Sequence, residues 1–94
     1  MEQVEFAGLV VLKFYSDTCA PCKRIVTIIK KMQEEFQSVK IYNVDIEEDY
    51  QLAKRFSVKS VPTLVFLNGE KEQSRIDGLA NTETIRKSFK ALVG

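Results

Sequence analysis

The sequence predicts an α/β domain in which helices cover both faces of one mixed sheet, giving three layers. Two observations lead to this architecture. Segments with the apolar pattern of strands alternate with segments of helical periodicity along the chain. The length of 94 residues is enough for one hydrophobic core but not for two. We therefore expect one domain over residues 1–94, a minimal sheet of about four strands and about three helices.

The first strand and the first helix have the clearest patterns. Residues 9–15 form a nearly continuous apolar run, interrupted by Lys13, as expected of a strand buried on both faces. Residues 16–18 break the run and offer polar side chains that can cap a following helix. Apolar residues then recur with helical spacing over about residues 20–36. Pro21 falls in the first turn, where its missing N–H costs nothing.

The middle of the chain alternates again. Residues 40–45 indicate a second strand, residues 48–56 a short helix and residues 63–67 a third strand. Because helical crossovers link these three strands, we expect all three to be parallel.

The last part of the chain predicts a hairpin and a helix. Asn68-Gly69 is a turn signal, and the more polar residues 71–76 indicate a returning antiparallel strand near an edge. Gly78 ends this strand, and Asn81 can cap the final helix. The apolar face of that helix is expected to comprise Ile85, Phe89, Leu92 and Val93.

Composition argues against several classes of function. Hydrophobic residues make up 45% of the chain and charged residues 29%, and the net charge of +1 gives no reason to expect nucleic-acid or anionic-membrane binding. No stretch has the length of a membrane span, and the acidic N-terminus does not resemble a signal peptide. We therefore expect a cytoplasmic protein, in which two cysteines favour a catalytic or metal-binding role over a structural disulfide.

Those cysteines, Cys19 and Cys22, stand where the first strand gives way to the first helix. This spacing can close a small disulfide ring, and a helix N-terminus favours a thiolate at Cys19. Since a thiolate is the form that attacks disulfides, the pair predicts a redox site. Two other interpretations stay open. The cysteines could be inert core residues, or they could bind zinc with further ligands, in a chain without histidine.

Two segments of the chain resemble the thioredoxin family. Residues 11–23 read VLKFYSDTCAPCK, which is similar to the family's active-site segment, and residues 56–64 read FSVKSVPTL, which is similar to its segment with a cis-proline. The similarity covers roughly residues 9–93. It implies a thioredoxin-like fold and dithiol–disulfide exchange with protein substrates, with no bound cofactor. The resemblance also implies an electron donor similar to thioredoxin reductase, and nothing in the sequence demands more than a monomer.

The resemblance also implies roles for individual residues. Cys19 would be the exposed nucleophile that forms a mixed disulfide with the substrate, and Cys22 would resolve it. Pro62, in a cis peptide with Val61, would lie beside the cysteines and present backbone groups to the substrate. Gly78 would flank the same groove. Pro21, which lies between the two cysteines in the first turn of the helix, would help to set the reduction potential.

The sequence departs from the family pattern at several places. Only about eight residues precede the first clear strand, so we expect the family's usual leading strand and helix to be missing or vestigial. Thr18, assigned to the substrate-binding surface, stands where a tryptophan is common. Lys13 stands where typical thioredoxins carry a buried aspartate. We hypothesise that its charge favours the Cys22 thiolate and makes the protein a weaker reductant. Alternatively, Lys13 reaches solvent or pairs with an acid such as Glu47.

Two other functions were weighed against this one. A glutaredoxin-like enzyme would use glutathione, but such proteins typically have an aromatic residue inside the Cys-x-x-Cys motif and a late Gly-Gly-Asp-like stretch. The Ala-Pro pair and residues 76–79 match neither feature. A non-catalytic binding module with the same fold would not need both cysteines, and both are present.

Overall fold

A computed structural model describes residues 3–94 and contains the seven predicted elements in the predicted order. The strands are β1 (Leu9–Tyr15), β2 (Lys40–Asp45), β3 (Thr63–Asn68) and β4 (Lys71–Asp77), and the helices are α1 (Ala20–Glu35), α2 (Tyr50–Arg55) and α3 (Thr82–Val93). Within the described part, residues 3–8 form neither helix nor strand. Met1 and Glu2, which open the predicted domain, lie outside the described residues. Nowhere in residues 3–94 does a helix combine the length and apolar character that crossing a membrane requires.

The four strands form one mixed sheet in the order β2-β1-β3-β4. β1 and β2 are parallel, whereas β3 is antiparallel to both β1 and β4. The prediction that the first three strands are all parallel is therefore wrong for β3. With six residues, α2 spans only about 9 Å and does not carry the chain back along the sheet. As a result, β3 starts at the end of the sheet where β1 and β2 finish, and Thr63 pairs with Phe14.

Helices cover both faces of the sheet, which confirms the three-layer architecture. On one face, the alternate β1 residues Val10, Leu12 and Phe14 belong to a cluster with Ala53 and Phe56 of the α2 region. On the other, Val11 belongs to a cluster built from α1 and α3. The helical members of that second cluster are Ile25, Ile29, Met32, Ile85 and Phe89. Because side chains alternate along a strand, the apolar run of β1 fills both cores at once.

Two boundaries differ from the prediction because side chains or turn geometry intervene. The short helix begins at Tyr50 and not at residue 48, since the Asp49 carboxylate accepts the Leu52 N–H at 3.2 Å and caps it. In the hairpin, Asn68 pairs with the first residue of β4, so the two loop residues are Gly-Glu and not Asn-Gly. The loop glycine has a φ of 61°, as the first loop position of a type II′ turn requires.

The final helix is capped as predicted, with the Asn81 side chain accepting the Thr84 N–H at 2.8 Å. Its apolar face is shorter than expected. Ile85 and Phe89 are fully buried, whereas Val93 is 41% exposed at the end of the chain. Leu92 in the last turn packs against the core as predicted, so the prediction is wrong only for Val93.

Candidate active site

Cys19 and Cys22 form a disulfide at the start of α1, with their Cα atoms 5.2 Å apart. Cys19 is the N-cap, and its Sγ accepts the Cys22 N–H at 3.1 Å. The expectation that the polar residues 16–18 would cap this helix is wrong, because the cysteine sulfur does so. Unpaired N–H groups and the helix dipole favour negative charge at this position. The geometry therefore suits a thiolate on Cys19 once the disulfide is reduced.

Both cysteines are buried while the disulfide is closed. Cys19 is 8% exposed and Cys22 4% exposed, so the predicted exposure of Cys19 is not found in this state. The flanking residues Thr18 and Pro21 are exposed, and Pro21 lies in the first helical turn as predicted. The disulfide thus lies directly below surface residues, of which Thr18 is one.

The segment before β3 brings a second predicted feature to the same edge of the sheet. The Val61-Pro62 peptide is cis. Because Phe14 near the end of β1 pairs with the residue after Pro62, this proline and the loop leading to Cys19 flank one end of the sheet. Gly78, with a φ of 86°, donates its N–H to the Pro62 carbonyl at 2.8 Å. The structure therefore brings Pro62 and Gly78 together at the end of the sheet where the disulfide lies.

Thr63 is a residue that the sequence analysis missed. Its side chain is fully buried, and its hydroxyl donates to the Ser60 carbonyl at 2.8 Å and lies 3.4 Å from the Asp77 carboxylate. These contacts tie the turn around Pro62 to the end of β4. The available signal was a lone hydroxyl residue at the start of an otherwise apolar strand, directly after the proline.

Lys13 lies on the α1 side of β1 and is only 7% exposed. Its Nζ is 5.7 Å from the centroid of the Tyr15 ring, within the range of a cation–π contact. Lys13 and Cys22 line the same open pocket of about 340 Å³, together with Asn43 of β2. The alternative pairing with Glu47 is not found, since no salt bridge in the described part of the chain includes Lys13.

The environment shifts the two titratable groups of β1 in opposite directions. Burial, with a smaller contribution from the cation of Lys30, lowers the pKa of Lys13 from its ordinary value. Burial, followed by the nearby carboxylates of Asp45 and Asp17, raises the pKa of Tyr15. Both shifts favour the neutral forms. Neutral Tyr15 therefore adds no charge to the pocket that Cys22 lines, whereas Lys13 adds one only while it is protonated.

The described residues at this site do not form a metal centre. Both cysteine sulfurs are joined in the disulfide, and residues 3–94 contain no group of three or more cysteine, histidine or acidic side chains placed to hold a metal ion.

The chain has a mixed sheet between helices, a Cys-x-x-Cys disulfide at a helix N-terminus and a cis-proline at the same end of the sheet. Together these features define a thioredoxin-fold oxidoreductase. Comparison with known proteins agrees. The thioredoxin family profile matches residues 1–91. Thioredoxin-2 of Saccharomyces cerevisiae is 37% identical over 81 residues, which is 86% of this chain and 77% of the yeast protein. The thioredoxin of Chlamydia trachomatis is 33% identical over 81 residues, covering 86% of this chain and 79% of the bacterial one.

Solved structures lead to the same family. The crystal structure of oxidised mitochondrial thioredoxin 3 from Saccharomyces cerevisiae superposes with a TM-score of 0.86 at 27% identity, covering 94% of this chain and 82% of that one. The Fasciola hepatica thioredoxin gives a TM-score of 0.84 at 31% identity, with 93% and 84% covered. The chain belongs to the thioredoxin family. It is a thiol–disulfide oxidoreductase with protein-disulfide reductase activity, and the glutaredoxin-like and non-catalytic alternatives are not favoured.

Proposed function

We propose that Cys19 and Cys22 carry the disulfide-reductase activity, with Cys19 as the nucleophile and Cys22 as the resolving thiol. The observation that supports this most strongly is the Cys19 sulfur at the N-cap of α1, where backbone N–H groups favour its thiolate. The thiolate attacks one sulfur of a substrate disulfide, forms a mixed disulfide and releases the other substrate sulfur as a thiolate. Cys22 then attacks Cys19, closes the disulfide and releases the second substrate sulfur. Two electrons pass from the protein to the substrate.

The substrate is proposed to dock around the cis peptide. Thr18 is exposed, Val61 is half-buried, and Gly78 is fixed against the Pro62 carbonyl. Because Pro62 has no N–H to donate and its carbonyl already accepts the Gly78 N–H, we assign the contact with the substrate backbone to Val61, which has both an N–H and a carbonyl. Pro21 is proposed to stabilise the first helical turn and thereby the position of Cys19.

The partners follow from the family. Thioredoxins act on disulfide substrates and are reduced by thioredoxin reductase, so we propose proteins with disulfides as substrates and a reductase of that kind as the electron donor. The single functional unit over residues 1–94, the monomeric state and the cytoplasmic location stay predictions.

Lys13 is proposed as a supporting residue beside Cys22. Its positive charge would stabilise the Cys22 thiolate and hence the reduced protein, which makes the protein a weaker reductant. The expected reduction potential lies above the value of about −270 mV for thioredoxin. Equilibration of the protein and its Lys13→Asp variant against a dithiol buffer checks this, and equal potentials for the two would contradict it.

Reduction of insulin by dithiothreitol tests the cysteine roles directly. We expect Cys19→Ser and Cys22→Ser each to lower the catalysed rate by at least about a thousand-fold, because each removes a sulfur that changes bonding partners during the cycle. Thr27→Ser, an exposed hydroxyl change further along α1, serves as the control and keeps the original rate. Retained turnover in Cys19→Ser would contradict the assignment.

A further inference from the structure

Lys13 is a buried lysine that lines one pocket with Cys22, and its surroundings contain little to balance a positive charge. Leu64 of β3 is its neighbour on one side, and Asn43 of β2 pairs with it on the other. The titratable and charged groups that face Lys13, or line the pocket with it, come from three places: its own strand, the loop after β1, and α1. They are Tyr15, Asp17, Cys22, Lys23 and Lys30.

Asp17 is the one carboxylate in that set. It is exposed to solvent, whereas Lys13 and Cys22 are 7% and 4% exposed. Water therefore screens the Asp17 charge far more strongly than it screens a charge on either buried group. Neither of the forces that act most strongly on Lys13, its burial and the Lys30 cation, is an attraction to an anion. An ammonium on Lys13 would therefore lack a counterion of similar burial while the disulfide is closed, which favours the neutral amine.

The resolving step supplies such an anion. Burial opposes an ammonium on Lys13 alone and a thiolate on Cys22 alone, since each charge loses its hydration. When a proton has left Cys22 and resides on Lys13, the two charges are opposite in sign and lie on one pocket. Their mutual attraction then offsets part of both desolvation penalties. A lowered pKa of Lys13 adds to this, because it increases the fraction of neutral amine able to take a proton.

We propose that Lys13 accepts the proton of Cys22 when Cys22 resolves the mixed disulfide, directly or through one water in the shared pocket. The inference rests on the proposed roles of Cys19 and Cys22. The S–H bond of Cys22 breaks, and its proton adds to the neutral amine to give an ammonium. The thiolate forms the new bond to Cys19 Sγ, and the bond between Cys19 and the substrate sulfur breaks. The substrate leaves as a thiolate, and the ammonium later returns its proton to solvent.

Single-turnover reaction with 4,4′-dithiodipyridine separates this step from the first one. When reduced protein is in excess over the probe, attack by Cys19 releases one thiopyridone and attack by Cys22 on the mixed disulfide releases the second. Both releases are followed by absorbance in a stopped-flow instrument from about pH 5 to about pH 10. The probe is uncharged at neutral pH, so its own charge does not influence Lys13 there.

We expect Lys13→Met to slow the second release by at least about ten-fold at neutral pH and to leave the first nearly unchanged. The deficit should vanish at high pH, where Cys22 ionises without an acceptor. Lys13→Arg keeps the charge, which still stabilises the thiolate, but cannot accept a proton, so its second release should stay slower than that of the unsubstituted protein at neutral pH. A rate equal to that of the unsubstituted protein in either variant at neutral pH overturns the proposal.

Matched controls separate this proposal from the cysteine assignment. Lys31→Met removes an exposed cation of α1 that does not line the pocket, and Asp17→Asn removes the competing carboxylate. Both should keep the rate of the second release, and a loss in Asp17→Asn equal to that in Lys13→Met overturns the proposal. If instead Cys19→Ser shows a normal first release, the assignment of the nucleophile has failed, which the Lys13 variants do not measure.

A measurement on the unsubstituted protein does not depend on how the variants fold. With ¹³C-labelled lysines, the Cε shift reports whether each side chain is an amine or an ammonium. In the oxidised protein, we expect Lys13 to lose its proton at lower pH than the exposed lysines, because burial and Lys30 lower its pKa. After reduction its titration should shift upward. A Lys13 signal that titrates with the exposed lysines in both states overturns the proposal.

Discussion

The two faces of β1 differ in what they contain as the strand approaches the disulfide. Towards α2, the strand presents Val10, Leu12 and Phe14, all fully buried and apolar to its end. Towards α1 it begins in the same way with Val11, but Lys13 follows, beside a pocket shared with Cys22. One face of the strand therefore packs into the core to its end, whereas the other places a titratable group at the pocket that Cys22 lines. Adjacent residues of the sequence, Leu12 and Lys13, separate these two duties.

The largest expected effect on stability comes from the apolar face. Leu12→Ala should lower the free energy of unfolding by about 2–5 kcal/mol, because the side chain is fully buried and leaves a cavity. The first thiopyridone release per folded molecule should stay unchanged, since no atom at the disulfide is altered. Urea unfolding of the oxidised protein measures the free energy of unfolding, and stopped-flow absorbance measures the thiopyridone release. A decrease in the free energy of unfolding of less than about 1 kcal/mol would contradict the role of the α2-facing side of β1 in the core.

A smaller effect with the opposite sign is expected one residue later. Lys13→Met in the oxidised protein should raise the free energy of unfolding at neutral pH by up to about 2 kcal/mol, because folding either buries an ammonium without a buried counterion or removes its proton, and an apolar side chain avoids both costs. The pKa of Lys13 is lowered in the folded state, so between that pKa and about 10.5 the unfolded chain binds more protons and the original protein gains stability with rising pH.

The gain from Lys13→Met should therefore shrink as the pH rises through that window. Urea unfolding at a series of pH values checks the sign. Lys31→Met, which removes an exposed lysine, should show no comparable pH dependence. A stability gain for Lys13→Met that grows with pH would contradict the argument.

The smallest effect on stability is expected at the edge strand β4, where Arg75 contacts the end of α2. Arg75 of β4 donates to the Phe56 carbonyl at 2.6 Å, where α2 ends, and to the Glu72 carboxylate at 2.8 Å. Arg75→Met should cost about 1 kcal/mol, since the side chain is partly solvated and its hydrogen bonds exchange with water. Arg24→Met, an exposed arginine of α1, is the control. Equal unfolding midpoints for the two variants would count against this role.

The ion pair between Arg75 and Glu72 should also make the stability depend on pH. The hydrogen bond from Arg75 lowers the pKa of Glu72. A carboxylate of this kind stabilises the folded state above its unfolded pKa, and the contribution is lost as the pH falls through the folded value. The stability difference between the protein and Arg75→Met should therefore narrow below the ordinary glutamate value near 4.5. A difference that stays constant in acid would exclude the ion pair as its source.

The sequence predicted the features that depend on local pattern. The apolar run of β1 indicated burial on both faces, and the two cysteines at a strand–helix boundary indicated a redox site at a helix N-terminus, both of which the structure confirms. The direction of β3 was mispredicted, because strand periodicity is the same in either direction. That direction depends on where the chain re-enters the sheet after α2, which is a non-local property.

The details of the site were less predictable for a related reason. The burial of Cys19 depends on segments that come together only in the fold, and so do the Thr63 hydroxyl contacts and the pocket joining Lys13 to Cys22. Sequence spacing places residues on an element but does not report what packs against them. Lys13 was recognisable as an anomaly in an apolar run, whereas its surroundings were not.

Trapping of the mixed disulfide tests the central assignment most directly. Each reduced single-cysteine variant is mixed with a disulfide-containing protein such as insulin, and the products are resolved by mass spectrometry without reductant. Cys22→Ser should accumulate a one-to-one mixed disulfide through Cys19, because no resolving thiol remains. Cys19→Ser should accumulate little, because Cys22 lies one turn inside the helix and not at the N-cap, where backbone N–H groups favour a thiolate. Equal or greater accumulation by Cys19→Ser would contradict the proposed order of attack.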